Sequence, residues 1–257
     1  MSQWLTIYKK EMLHFWRNKQ LIWLPLVMML IGIIDVITYY YLPEVIELSG
    51  GLPDGAVFDV PAIKGHEAIL MGLDQLSLMG SLVIIAISMG TIANERNSGL
   101  AEIMLTKPIH HFNYVTAKWF SLITITMFSL CLAIGLNWYY TNILFDTISI
   151  KALLQTCLFY SLWFVFIVTI AVFFNSFLSK SGLVFAFTTL TLFILAIINT
   201  AFGHRLPYFP NQLSNHIGSM LLTGDITKQL LITSSLIGFL ILVLLTAASF
   251  IFKHHKL

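Results

Sequence analysis

The chain is 257 residues long, 58 % hydrophobic and only 10 % charged, with a formal net charge of +2, whereas an average soluble domain carries roughly 25 % charged residues. That composition excludes a water-soluble globule. It also excludes a disordered chain, because so many apolar side chains do not stay solvated. The two cysteines, Cys131 and Cys157, sit inside apolar runs, so a disulfide framework is not expected.

Residues 1–20 come first. Trp4, Leu5, Tyr8, Met12 and Phe15 recur at steps of three and four, while Gln3, Lys10, His14 and Arg17 gather on the other side. This pattern predicts an amphipathic helix in the inner interface, its aromatics among acyl chains and its cations near anionic lipid headgroups. A simple topology anchor and a helix that also touches a cytoplasmic partner both fit it.

A bilayer crossing needs roughly 20 mostly apolar residues, since a helix rises about 1.5 Å per residue through a core about 30 Å thick. Six such runs follow, at 21–42, 68–93, 119–141, 152–174, 183–203 and 230–252. Asp35 in the first run would cost about 3 kcal/mol at a helix centre, but its Ile, Leu and Val neighbours each return about 0.3 to 0.6 kcal/mol, so insertion prevails. The expected fold class is therefore an all-α integral membrane protein in a single domain, 1–257, with six transmembrane helices. Counting Lys and Arg, ten fall on one side and four on the other if the termini share a side. The positive-inside bias then places both termini in the cytoplasm.

The inner segment 94–118 carries the most information. Gly99 ends one helix or caps the next, Glu102 follows in a first turn where the helix dipole favours a carboxylate, and Pro108 stops the run. Leu100, Ile103 and Met104 are apolar at helical spacing in a cytoplasmic loop, which predicts a face against the membrane base or another protein. On the outer side, 43–67 reads as an exposed loop, with Gly50, Gly51 and Pro53. The outer stretch 204–228 is too apolar to be solvated, and Pro207 and Pro210 break its backbone. A segment lining an exit and a stabilising plug both suit it.

Ionisable residues inside spans mark functional candidates, and here they are Asp35 and Asp74. Each falls about two turns from the outer end of its span, at depths that would let them meet and gate or hydrate an outward path. Two structural carboxylates satisfied by Thr38, Gln75 or Ser77 would look the same. Asn137 and Asn199 predict interhelical hydrogen bonds. The adjacent pairs His110-His111 and His254-His255 lack the spacing of a metal helix, so no metal site is expected. The cations are too scattered for a nucleic-acid groove, and no G-x-S-x-G motif suggests a catalytic serine. Nor is there a G-x-x-x-x-G-K-[ST] loop to cradle nucleotide phosphates.

The run Glu95-Arg96-x-x-Gly99-x-x-Glu102-x-Met104-Leu105-x-x-Pro108-Ile109, with Lys118 at the mouth of the third span, resembles the loop of ABC type-2 transporter permeases. Six spans and a leading amphipathic helix fit the same family, so the resemblance covers essentially the whole chain. It implies that 94–118 forms a coupling helix in a groove of a separate nucleotide-binding ATPase. Glu95, Arg96, Gly99, Leu100, Glu102, Ile103, Met104 and Pro108 would be the contact residues. It further implies short re-entrant helices within 204–228, a second permease copy, and a place in the bacterial cytoplasmic membrane. ATP and Mg would bind the partner, with no cofactor in this chain and no enzymatic activity of its own. The expected function is export of a hydrophobic or amphipathic substrate such as a lipid, peptide or drug. The competing expectation is a self-sufficient channel or ion-coupled carrier that works through Asp35 and Asp74.

Overall fold

The computed structural model of the chain describes residues 3–48, 61, 63–99 and 110–254. Among them every regular element is helical. Six helices are long and apolar enough to cross a membrane: Gln20–Ile46, Gly65–Asn97, His111–Leu144, Ile150–Asn175, Ser181–Phe202 and Lys228–Lys253. They coincide with the six predicted runs, the largest difference being a third span that begins earlier, at His111. An even number of crossings puts Gln3 and His254 on one side of the bundle, called proximal below, opposite the distal side.

Gln3–Arg17 forms the expected leading helix. Lys19 then takes a left-handed conformation, φ 57°, at the corner into the first span. The buried face differs from the expected one. Ile7, Glu11 and Phe15 are buried at i, i+4 and i+8, whereas Leu13 and Trp16 are exposed. Trp4 and Tyr8 stack on each other and lean on Phe120 of the third span, with ring centroids 5.5 and 5.8 Å from that phenyl. The buried stripe therefore centres on a carboxylate, and the helix packs on protein where the sequence pattern placed acyl chains.

The first three spans meet at a glycine. A Cβ at Gly72 would lie 2.4 Å from the Gly32 carbonyl oxygen and 1.9 Å from Asn137 Nδ2. With no side chain there, the second span approaches both the first and the third, closely enough for Asn137 Nδ2 of the third to donate to the Ile69 carbonyl at 3.3 Å. Thr141 Oγ1 in turn donates to Asn137 Oδ1. Small residues at crossings permit such approach in membranes, where no hydrophobic force drives helices together. Gly72→Ala is expected to cost about 1–3 kcal/mol by overpacking; a lowered melting temperature in mild detergent would register it, and an unchanged one would contradict this junction.

The second span is not one regular helix. A π-helical segment, Leu76–Gly80, separates Gly65–Gln75 from Ser81–Ser88, and a turn then leads to the short helix Ala93–Asn97. At the onset of the π segment the buried Tyr160 hydroxyl of the fourth span donates to the Leu73 carbonyl. The fourth span is the most enclosed and the fifth the most peripheral, exposing Leu183, Phe187, Leu190, Phe193, Ile194 and Ile197.

Within 204–228 the chain forms a 3-10 turn, Pro210–Gln212, and a helix, Leu213–Thr223, ended by Gly224 in the left-handed region. This helix packs on the second and fourth spans, with Gly218 against Leu70. Gln212 Nε2 donates to Asn199 Oδ1 of the fifth span at 2.9 Å, so both Asn137 and Asn199 make the expected interhelical bonds.

Candidate functional site

At the proximal end, four charged side chains converge from three elements. Lys118, on the third span and 1 % exposed at its side chain, places Nζ 2.9 Å from Glu11 Oε1 of the leading helix and 3.0 Å from Glu95 Oε2 of the short helix. Its third donor goes to the Thr91 carbonyl at 2.7 Å, in the turn before that helix. All three ammonium hydrogens thus have acceptors, the condition under which a buried charge is tolerated. Lys10 closes the cluster from the solvent side, pairing with Glu95 and lying 3.4 Å from Glu11. Two cations face two carboxylates, so the cluster is neutral as a whole.

Burial alone would lower the pKa of Lys10, but the hydrogen bond and charge of Glu95, and then Glu11, outweigh it and raise the ammonium above its ordinary value. A raised lysine pKa means that this contact is fully present at neutral pH and is lost only as strongly alkaline pH passes the raised value.

An aromatic stack extends the cluster to the sixth span. Tyr114 hydroxyl donates to Glu95 Oε2, and Lys118 Nζ lies 5.3 Å from the Tyr114 ring centroid. Tyr114 stacks on Phe252 with centroids 5.2 Å apart and planes 14° apart. On Phe252, in turn, sits the Arg96 guanidinium, 5.5 Å from the ring centre. Adjacent residues of one short helix therefore reach two different spans, Glu95 the third and Arg96 the sixth. The Arg96 nitrogens find no hydrogen-bond partner among the described residues, so the phenyl face carries the contact.

Asn175, wholly buried at the end of the fourth span, fixes the position of the short helix. Its Oδ1 accepts from the amides of Ile92 and Ala93 at 3.3 and 3.0 Å, and its Nδ2 donates to the carbonyls of Ser88 and Ala171 at 3.0 and 2.9 Å. A break in a helix leaves backbone groups without partners. One amide side chain here satisfies them on both sides of the break.

Of the predicted contact residues, Glu95 and Arg96 occupy this cluster. Gly99 ends the short helix with φ +72°, open space where a Cβ would stand, and its amide donating to the Arg96 carbonyl. Leu100, Glu102, Ile103, Met104 and Pro108 lie outside the described residues. No hydrogen bond joins Asp35 to Asp74 among the described residues. Gly72 faces the first span, and Asp74, two residues on, sits about 200° further around the helix, on the far side. Asp74 is exposed on the surface of the bundle and Asp35 is half-buried, and neither makes a hydrogen bond or ion pair among the described residues. Sequence reasoning missed Glu11, Tyr114 and Asn175. A carboxylate one position from Lys10 on an amphipathic helix, and an asparagine closing an otherwise apolar span, were the available signals.

The chain matches, over residues 5–253, a family model described as "ABC-2 family transporter protein". It is also 34 % identical over 169 residues to "Uncharacterized transmembrane protein YxlG" of Bacillus subtilis (strain 168), a match spanning 66 % of this chain and 66 % of that relative's length. Members of this family normally partner with an ABC ATPase subunit. Six spans, a helical fold without strands among the described residues, and a family match over nearly the whole length lead to one assignment: the chain belongs to the ABC-2 family, as a multi-pass membrane subunit of the ABC transporter type.

Proposed function

We propose that this chain is the transport subunit of an ATP-driven exporter, that its proximal end faces the cytoplasm, and that a separate ATPase drives it through segment 94–118. One observation carries this reading: Glu95 and Arg96, at the start of that segment, are tied through buried contacts to the leading helix, the third span and the sixth span. A push on the segment is thereby delivered to three elements at once, and interfaces of this kind switch between discrete arrangements instead of deforming gradually. ATP and Mg belong to the partner. A second copy of the chain supplies the other wall of the path, and the sparsely charged bundle suits a hydrophobic or amphipathic cargo.

Affinity purification from native membranes is expected to recover a stoichiometric soluble subunit with a G-x-x-x-x-G-K-[ST] loop. In vesicles holding both subunits, Glu95→Gln is expected to leave the complex assembled while lowering transport per ATP by about five-fold or more, the lower range of typical coupling energies. Flux through the chain alone, indifferent to ATP and abolished by Asp74→Asn, would overturn the proposal in favour of an ion-coupled carrier.

A further inference from the structure

A cavity lies at the distal end, remote from the ion-pair cluster. It has a volume of about 520 Å³. Phe166 of the fourth span, Leu195 of the fifth and Leu240 of the sixth form its walls, and the loop around Tyr208 and Phe209 covers it. Its lining is apolar apart from one cation, Arg205.

The cavity has the depth of a lipid chain. Arg205 follows directly on the distal end of the fifth span at Phe202, whereas Leu195 lies about 10 Å, and Leu240 about 18 Å, along their helices from the distal ends. It therefore runs from headgroup level into the hydrocarbon. Arg205 is exposed, and no carboxylate pairs with it among the described residues.

We propose that this cavity binds an anionic phospholipid of the distal leaflet, one acyl chain between the fifth and sixth spans against Phe166 of the fourth, and the phosphate at Arg205. The occupant is chosen by charge and shape: an unpaired cation at the mouth and an apolar floor at acyl-chain depth.

The test is retention of lipid by the full chain purified in neutral detergent, read by native mass spectrometry with phosphatidylglycerol or phosphatidylcholine of identical acyl chains. The wild-type protein is expected to hold phosphatidylglycerol about five-fold more strongly, the effect of one cation near a lipid surface. Arg205→Gln, an exposed change, should bring the two lipids to parity. Leu240→Trp, which fills the floor, should lose the bound molecule of either lipid. Equal retention of both lipids by the wild-type protein, or an undiminished preference in Arg205→Gln, would overturn the proposal whether or not Leu240→Trp folds. So would full occupancy in a folded Leu240→Trp.

Discussion

Lys118→Met is expected to destabilise the folded protein by about 3–5 kcal/mol, the usual result of removing one partner from a buried ion pair. The reason is the state in which it leaves the other partners. Glu11 is 5 % exposed and is held chiefly by Lys118, and Glu95 would keep only Lys10 and the Tyr114 hydroxyl. The Thr91 carbonyl would lose its donor as well. Adding Glu11→Gln to Lys118→Met should restore part of the loss, because it removes the stranded charge; the two changes should therefore combine less than additively. Lys10→Met, at a side chain 43 % exposed, is expected to cost only about 0.2–1 kcal/mol. Urea unfolding, in mild detergent, of the wild type, Lys118→Met, Glu11→Gln, their double variant and Lys10→Met separates these outcomes. Equal small losses at Lys118 and Lys10 would mean that the cluster is an ordinary surface arrangement.

Asn175→Leu is expected to be comparably severe, at about 2–6 kcal/mol, because it strips the partner from two buried amides, each worth about 1–3 kcal/mol when left unsatisfied. The damage should be local first. Ile92 and Ala93 amides should lose protection from hydrogen exchange, and the short helix bearing Glu95 and Arg96 should lose its fixed position, before the bundle itself opens. Asn175→Asp provides the control. It keeps the acceptor for both amides but sets a carboxylate against the carbonyls of Ser88 and Ala171, so protection at Ile92 and Ala93 should survive while overall stability falls. Unchanged exchange in Asn175→Leu would show that the break is held by something else.

Together the two predictions describe one mechanical unit. Lys118 binds the leading helix and the short helix to the third span, and Asn175 binds the start of the short helix to the fourth. Stiffness at this junction is what the proposed coupling needs, since a displacement spreads only through contacts that do not yield. Arg96 and Phe252 add the sixth span by a softer contact, an interaction that tolerates sliding better than a hydrogen bond does.

The spans were legible because length and apolarity are local properties, and a bilayer demands both from each crossing separately. The leading helix was legible for the same reason, through its period. Its orientation was not. Ranking Trp4, Tyr8 and Met12 by hydrophobicity points the aromatic face inward, but a carboxylate at position 11 is buried when a lysine 107 residues away in sequence is there to receive it. The placing of Asp35 and Asp74 was not legible for a similar reason, because the direction in which a residue of the second span points depends on Gly72 turning one face of its helix against Gly32. Glu95 and Arg96 were marked by the resemblance as a contact; that they diverge to separate spans follows only from the placing of Phe252 and Tyr114.

What the sequence by itself determined is the number of crossings, the helical class and the stretch where charge gathers, which follow from composition and periodicity within twenty or so residues; the family came from the resemblance carried by the run from Glu95 to Ile109. The tertiary structure alone decided which charges meet. A buried ion pair depends on the relative rotation and height of helices distant in sequence, and those are set by small residues at crossings and by side chains such as Asn175 that bridge a break. Neither leaves a periodic trace in the chain.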